Sequence, residues 1–254
     1  MELNFLKKVN NVSYLNQERG GFSSLYLKVR AHENRILTDN QLSQLPYVSP
    51  DNSLFKEWSL RQKSAVRFIN YLKKKNKPLK ILDLGCGNGW FTHKMAKITP
   101  RNYVLGMDIN ISELEQAAKV FANDNLHFVY GDIFALKDHF ESSFDVITVN
   151  AAIQYFRELS ELILLLKSFL TNSGELHIID SPFYEPKAVS EARERTRNYY
   201  SKLGFPKMAE YYHHHSKEDV SEFELLYFPK KSLINRLRGV TDSPFPWLKY
   251  TNEN

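Results

Sequence analysis

Cysteine is nearly missing. The 254-residue chain has only Cys86, so no internal disulfide can hold it, and a reducing compartment is the expected setting. Long apolar runs are missing too: the longest, residues 162–166, falls far short of the roughly eighteen residues that cross a bilayer. The first ten residues mix apolar with polar and charged side chains, and no apolar stretch follows, so a cytoplasmic protein is expected. Charge of one sign is not in great excess. Thirty-four Lys plus Arg against 29 Asp plus Glu leave +5, spread along the chain. That permits an acidic ligand but is far from the basic stripe of a dedicated nucleic-acid binder. The densest run, residues 73–77, precedes an expected strand and reads as a solvated helix end. What is present is 43% hydrophobic residues, enough for a substantial core, in a length that fits one large domain with at most a modest appendage.

Three zones separate by pattern. Residues 1–77 show no clear strand alternation and predict an N-terminal helical extension or lid. Its main helix covers 53–75, where Trp58, Ala65, Phe68, Ile69 and Leu72 recur at helical spacing behind a possible Ser53 cap. Residues 78–254 predict the main domain. Within it, short apolar strands at 80–84, 103–108, 127–130, 146–150 and 175–180 alternate with helical stretches at 89–98, 112–121 and 154–170. Strands apolar throughout, with helices between them, predict an α/β fold with a doubly wound, mostly parallel sheet and ligands at the strands' carboxyl ends. After Pro182 come a helix at 187–203, an aromatic and histidine cluster at 211–215, and strand-like segments at 224–228 and 245–250.

The informative stretch is Ile81-Leu-Asp83-Leu-Gly85-Cys86-Gly87-Asn-Gly89-Trp90, a strand running into a glycine turn and straight into a helix. Glycines there allow a sharp bend and close approach of a ligand, but alone do not name it. The spacing is G-x-G-x-G, unlike the G-x-G-x-x-G that seats a pyrophosphate. Asp83, two residues before the first glycine, would repel a pyrophosphate and suit a cationic ligand. Asp108, ending the second strand with Ile109 beside it, can accept two ribose hydroxyls. Asp132 can receive an adenine amino group, with Ile133 against the ring, and Asn150-Ala-Ala leaves room beside the fourth strand. Bland readings stand beside these: Asp83 or Asp108 as caps, Asp132 as a turn residue, Cys86 as a small residue between glycines.

With those residues in place, the stretch from about 79 to 182 resembles the class I S-adenosylmethionine-dependent methyltransferase domain. The resemblance implies S-adenosylmethionine as cofactor and a Rossmann-like seven-stranded sheet whose last strand is antiparallel, closed by 224–228 and 245–250. It implies Asp83, Gly85, Cys86, Gly87, Asp108, Ile109, Asp132, Ile133 and Asn150 as cofactor-binding residues.

Methyl transfer is an in-line displacement that gains most from alignment and exclusion of water, so the sequence need not show a catalytic dyad. A base is needed only if the nucleophile must lose a proton. Tyr155, His213 and His214 are the candidates for that role, and Gln154 and Phe156 should also border the reacting methyl. A metal site in Tyr211-Tyr-His-His-His215 is a poor reading because adjacent histidines project in different directions, and no metal is expected. The Asn150-Ala-Ala-Ile153 stretch lacks the prolines and aromatic of amino-group enzymes acting on bases or glutamine. A small-molecule acceptor is therefore expected, with no membrane or nucleic-acid partner. An RNA or protein acceptor and a nonenzymatic binding protein of the same fold stand as alternatives, and a nicotinamide oxidoreductase is disfavoured by the loop spacing. Arg61 is a candidate to hold a carboxylate. The flanks, with Tyr26, Tyr47, Trp58, Tyr199 and Tyr212, are expected to cover the cofactor and build the acceptor pocket.

Overall fold

The computed structural model describes residues 5–18, 21–136, 140–229 and 242–253. The chain begins with a hairpin, β1 (Lys7–Val9) and β2 (Val12–Tyr14), followed by helices α1 (Phe22–His32), α2 (Asp39–Gln44) and α3 (Phe55–Lys74). Alternation then sets in: β3 (Lys80–Leu84), α4 (Trp90–Ala96), β4 (Tyr103–Asp108), α5 (Ile111–Val120), β5 (Leu126–Tyr130), β6 (Phe144–Asn150), α6 (Leu159–Ser168) and β7 (Leu170–Ile179). Helix α7 (Val189–Lys202) and strands β8 (Glu224–Tyr227) and β9 (Trp247–Thr251) complete it.

All nine strands form one sheet in the order β1-β2-β5-β4-β3-β6-β7-β9-β8. From β2 to β7 every pairing is parallel, while β9 runs antiparallel to both β7 and β8. The order reverses between β3 and β6, so their carboxyl ends flank the crevice where such sheets bind ligands. The expected count of seven strands is corrected to nine among the described residues. The closing pair lies where expected, and the two additional strands come from the N-terminal zone. That zone is therefore not only helical: Val12, Ser13 and Tyr14 pair with Phe128, Val129 and Tyr130 of β5. Two strands of three residues are too short for alternation to be visible.

Helices cover both faces. Ile81, Val104 and Val146 face a cluster with Phe68, Leu72, Phe91 and Met95 of α3 and α4, whereas Leu82, Leu105 and Ile147 face Leu162 and Leu166 of α6. Strands buried on both faces explain the unbroken apolar runs. Helix α3 starts after Leu54 with no side-chain cap, so Ser53 is not the N-cap. The helix expected at 154–170 is split. Residues 153–155 form a tight turn, Phe156 is extended, and α6 follows; the break lets Gln154 bury its amide against the Ala151 carbonyl at 2.7 Å. A third, smaller cluster joins Val29 of α1 to Tyr200 of α7 and Met208, with Tyr26, Tyr155 and Tyr212 packed against it. It ties the two flanking zones together over the carboxyl ends of the strands.

Candidate active site

The glycine turn is shaped by steric and hydrogen-bond demands that can be read atom by atom. Gly85, Gly87 and Gly89 all have positive φ, which a side chain disfavours. A Cβ on Gly85 would lie 2.5 Å from the Ala152 Cβ, and one on Gly89 would meet the Phe128 ring at 2.6 Å. The amides of Gly85 and Cys86 both donate to the Met107 carbonyl, at 2.8 and 3.1 Å, pinning the turn to β4. Asp108, at the end of β4, accepts from the amides of Gly87 (2.8 Å), Ile109 (2.7 Å) and Asn110 (2.9 Å). Burial nonetheless raises its pKa.

A cavity of about 300 Å³ opens over the ends of β3 to β6. Gly85, Gly87, Asp108, Ile109, Asp132 and Ile133 line one part of it; Phe22, Tyr26, Tyr155, Phe156 and Tyr211 line another. A smaller one of about 110 Å³ is lined by Asp83, Gly85, Cys86, Gly87, Asn150, Arg30, Trp58 and Arg61. Six of the nine expected cofactor residues thus line the larger cavity, and Asp83, Cys86 and Asn150 line the smaller. Gly85, Gly87, Tyr26 and Glu113 border both.

Asp83 is already engaged. Its carboxylate accepts from Thr92 Oγ1 at 2.6 Å and Thr148 Oγ1 at 2.8 Å, tying β3 to α4 and β6, and burial pushes its pKa up to about 6. Asn150 Oδ1, in contrast, is buried without a partner. An unpaired acceptor in a small cavity favours a ligand that brings a hydrogen-bond donor. Cys86 is buried, and burial together with Asp108 and Asp83 keeps its thiol protonated. Arg61 Nε bonds Glu57 at 3.0 Å, and Trp58 packs edge-on against Trp90 with centroids 5.4 Å apart.

The flank aromatics divide. Tyr26 lies in the site, with Phe22 5.7 Å and Tyr155 5.7 Å from its ring, and Ser23 Oγ clips the start of α1 to the Ile109 carbonyl at 2.8 Å. Tyr212 packs behind Tyr155 at 6.0 Å. Tyr47 and Tyr199 do not line it; Tyr47 is exposed, and the Tyr199 hydroxyl donates to Glu33 at 2.6 Å. His213 and His214, considered as bases, line a separate cavity with Arg193 and Arg197. This is a correction set by packing: the chain turns after Tyr211, and the His213 amide is held by the Gln154 carbonyl at 2.7 Å. Tyr155 is the one candidate of the three that faces the larger cavity. Burial raises its pKa, so its hydroxyl stays protonated at neutral pH.

Sequence reasoning missed Phe22 and Glu113, and singled out Tyr211 only as part of the cluster at 211–215. Glu113 borders both cavities, and burial and Asp108 push its pKa up to about 7. Its one sequence signal is Asn110-x-x-Glu113, which reads as a helix cap, and the cap is real: Asn110 Oδ1 accepts from the Glu113 amide at 3.4 Å. Phe22 carries no motif at all.

A methyltransferase-domain family model matches residues 75–224, more than half of the chain, and the chain belongs to that family. Its fold is that of the class I methyltransferases. It is 33% identical over 125 residues to a malonyl-[acyl-carrier protein] O-methyltransferase of Halalkalibacterium halodurans, covering 46% of each protein. It is 32% identical over 111 residues to a ribosomal RNA small subunit methyltransferase C of Haemophilus influenzae, covering 41% of this chain and 33% of that one. The chain thus spans less than half the length of these curated relatives. Among solved structures, the magnesium protoporphyrin IX methyltransferase of Synechocystis PCC 6803 with bound SAH superposes with a TM-score of 0.53 at 16% identity, over 89% of this chain and 99% of that one. Among the described residues no helix is long and apolar enough to cross a membrane.

Proposed function

We propose that this protein transfers a methyl group from S-adenosylmethionine to a small-molecule acceptor. The observation that carries the reading is the continuity of the larger cavity: the carboxylates and glycines of a nucleoside site share one space with an aromatic annex roofed by α1 and residues 206–211.

The residues fit the donor. Asp108 keeps one lone pair, on Oδ2, for a ribose hydroxyl while its three backbone bonds hold it still. Asp132 would receive an adenine amino group, with Ile109 and Ile133, which line the same cavity, to flank the ring. The unpartnered Asn150 Oδ1 can accept from the methionine ammonium. Asp83 supports that end through Thr92 and Thr148, holding the turn and β6 in register. When bound, the donor supplies an electrophilic methyl on a sulfonium. The chain's own part is to align the acceptor and exclude water, and Phe22, Tyr155, Phe156 and Tyr211 supply an apolar wall for that. The Tyr155 hydroxyl, kept protonated by burial, orients an acceptor oxygen or nitrogen and does not remove its proton.

The likeness to a ribosomal RNA methyltransferase supports a second reading with a macromolecular acceptor. The roofed annex favours the small one. Calorimetry should give micromolar affinity for S-adenosylmethionine and S-adenosylhomocysteine, about −7 to −8 kcal/mol. Labelled donor should then mark a low-molecular-mass fraction in preference to RNA or protein. Absence of binding at millimolar concentration would remove the donor assignment, and label appearing only on RNA would remove the small acceptor.

A further inference from the structure

Beside the aromatic annex lies a second cavity of about 740 Å³ whose walls include Arg157, Arg193, Arg197, Tyr211 and His214. Tyr211 borders this cavity on one side and the annex on the other. Arg157 directly follows Phe156, which lines the annex. The cavity therefore begins where the wall of the acceptor site ends.

Its chemistry is that of an anion seat. Arg193 and Arg197 sit one helical turn apart on α7, exposed, and neither has an ion pair among the described residues. Three carboxylates share the walls, but two are engaged: Glu158 with Arg157 at 3.4 Å, and Asp219 with the Ser216 amide at 2.7 Å; Glu210 is the third. The independent observation is His214. The residue is 6% exposed, Nε2 lies 2.9 Å from Thr196 Oγ1, and Nδ1 is buried without a partner. Burial and Arg193 push its pKa down to about 4, so at pH 7 it is neutral with one N–H to give. The Thr196 hydroxyl can donate to Nε2 or accept from it; where it donates, that N–H is on Nδ1. A buried ring nitrogen without a partner, lining a cavity with two guanidinium groups, is completed by an oxyanion with several acceptor oxygens when it carries the N–H.

We infer that this cavity binds a phosphoryl group carried on the far end of the methyl acceptor, with Arg193, Arg197 and His214 Nδ1 as its ligands and Tyr211 as the sill between the two sites. The inference rests on the proposed methyl transfer for the word acceptor; the anion site stands or falls separately. Guanidinium forks match phosphate oxygens in pairs, and two of them with a neutral N–H donor suit a phosphate monoester better than a single carboxylate.

The test uses the full chain with inorganic phosphate and phenyl phosphate as probes, followed by calorimetry and by nitrogen-15 NMR of the histidine rings. Both probes should bind and move the His214 signals, and the Arg193→Gln/Arg197→Gln double variant should weaken both about tenfold or more. Phenyl phosphate should bind roughly fivefold tighter than phosphate, and Tyr211→Ala should remove that advantage. The double variant should keep wild-type affinity for S-adenosylhomocysteine, which shows that it folds. Failure of the homologue to bind wild type would instead strike the proposed function and leave the phosphate result readable. The inference is overturned if neither probe binds at ten millimolar or so, above any useful affinity. It is equally overturned if the double variant binds as wild type does, if His214 carries its proton on Nε2, or if Tyr211→Ala leaves the phenyl advantage intact. Tight binding of a short RNA through the same arginines, with no response to phenyl phosphate, would assign the surface to a macromolecule and also overturn it.

Discussion

The two halves of the site are built in different ways. The proposed donor half draws on the ends of four adjacent parallel strands and the turns that follow them: Asp83 in β3 with Gly85 after it, Asp108 at the end of β4, Asp132 after β5 and Asn150 at the end of β6. Backbone hydrogen bonds fix each one, as in the three amides on Asp108. The acceptor half joins Phe22 near one end of the chain to Tyr155 in the middle and Tyr211 far along it. Side-chain packing joins their rings, with Phe22 5.6 Å from Tyr155 and 5.2 Å from Tyr211 between ring centroids. A ladder of backbone bonds tolerates no substitution that shifts a strand end, while an aromatic wall can repack. The first half should therefore be brittle and the second adjustable.

The largest expected effect comes from the glycine turn. Gly85→Ala and Gly89→Ala each force a Cβ into a contact under 3 Å at positive φ and should cost about 2–4 kcal/mol of folding stability. They should part company on binding. Gly85 presses on Ala152 in the cavity wall, so its variant loses the donor, whereas Gly89 presses on Phe128 behind the turn and its folded fraction still binds. Urea melts combined with S-adenosylhomocysteine titrations check this; equal loss of affinity in both would erase the distinction between wall and support.

Asp108→Ala should weaken the donor by about 2–4 kcal/mol, because a ribose hydroxyl and three backbone amides lose a charged acceptor together. Unchanged calorimetric affinity with a collapsed melting temperature would make Asp108 a purely structural residue.

Glu113 sets a pH dependence whose sign follows from its raised pKa. The folded state holds the proton more tightly than the unfolded chain, so this contribution is complete below pH 4.5 and is lost as pH rises towards about 7. Asp83, raised from 3.8 to about 6, adds in the same direction. Denaturant titrations between pH 4.5 and 7 should show Glu113→Gln gaining on the wild type by on the order of 2 kcal/mol across that window. A constant difference would mean that Glu113 ionises as freely in the fold as outside it.

The smallest effect tests the adjustable half. Phe22→Ala should change donor affinity by less than about 0.5 kcal/mol, since its ring contacts are to Tyr26, Tyr155 and Tyr211 and not to the donor residues. A loss as large as that of Asp108→Ala would show that the halves are not separable.

The legibility of the site follows the same division. Asp83, Gly85, Gly87 and Asp108 could be read because a βαβ unit ties local spacing to spatial placement: strand, turn and helix occur in sequence order, and the turn's backbone demands glycine. Glu113 was hidden because a helix cap explains it equally well. The hairpin at residues 7–14 was hidden because strands of three residues have no period to detect. His213 and His214 had the chemistry of a base, but the packing of residues 206–215 sends them to the neighbouring cavity.

By itself, then, the sequence determined the doubly wound sheet and the donor turn, because both depend on contacts between residues close in the chain or on adjacent strands. Only the tertiary structure decided which aromatics close the acceptor side, that Asp83 spends its oxygens on Thr92 and Thr148, and that the histidines stand outside. The aromatic closure depends on side chains more than a hundred residues apart, Phe22 and Tyr211, meeting in one place, and the Asp83 bonds on β3, α4 and β6 packing together. No local pattern encodes such a meeting, because its energy comes from packing shared across the whole fold.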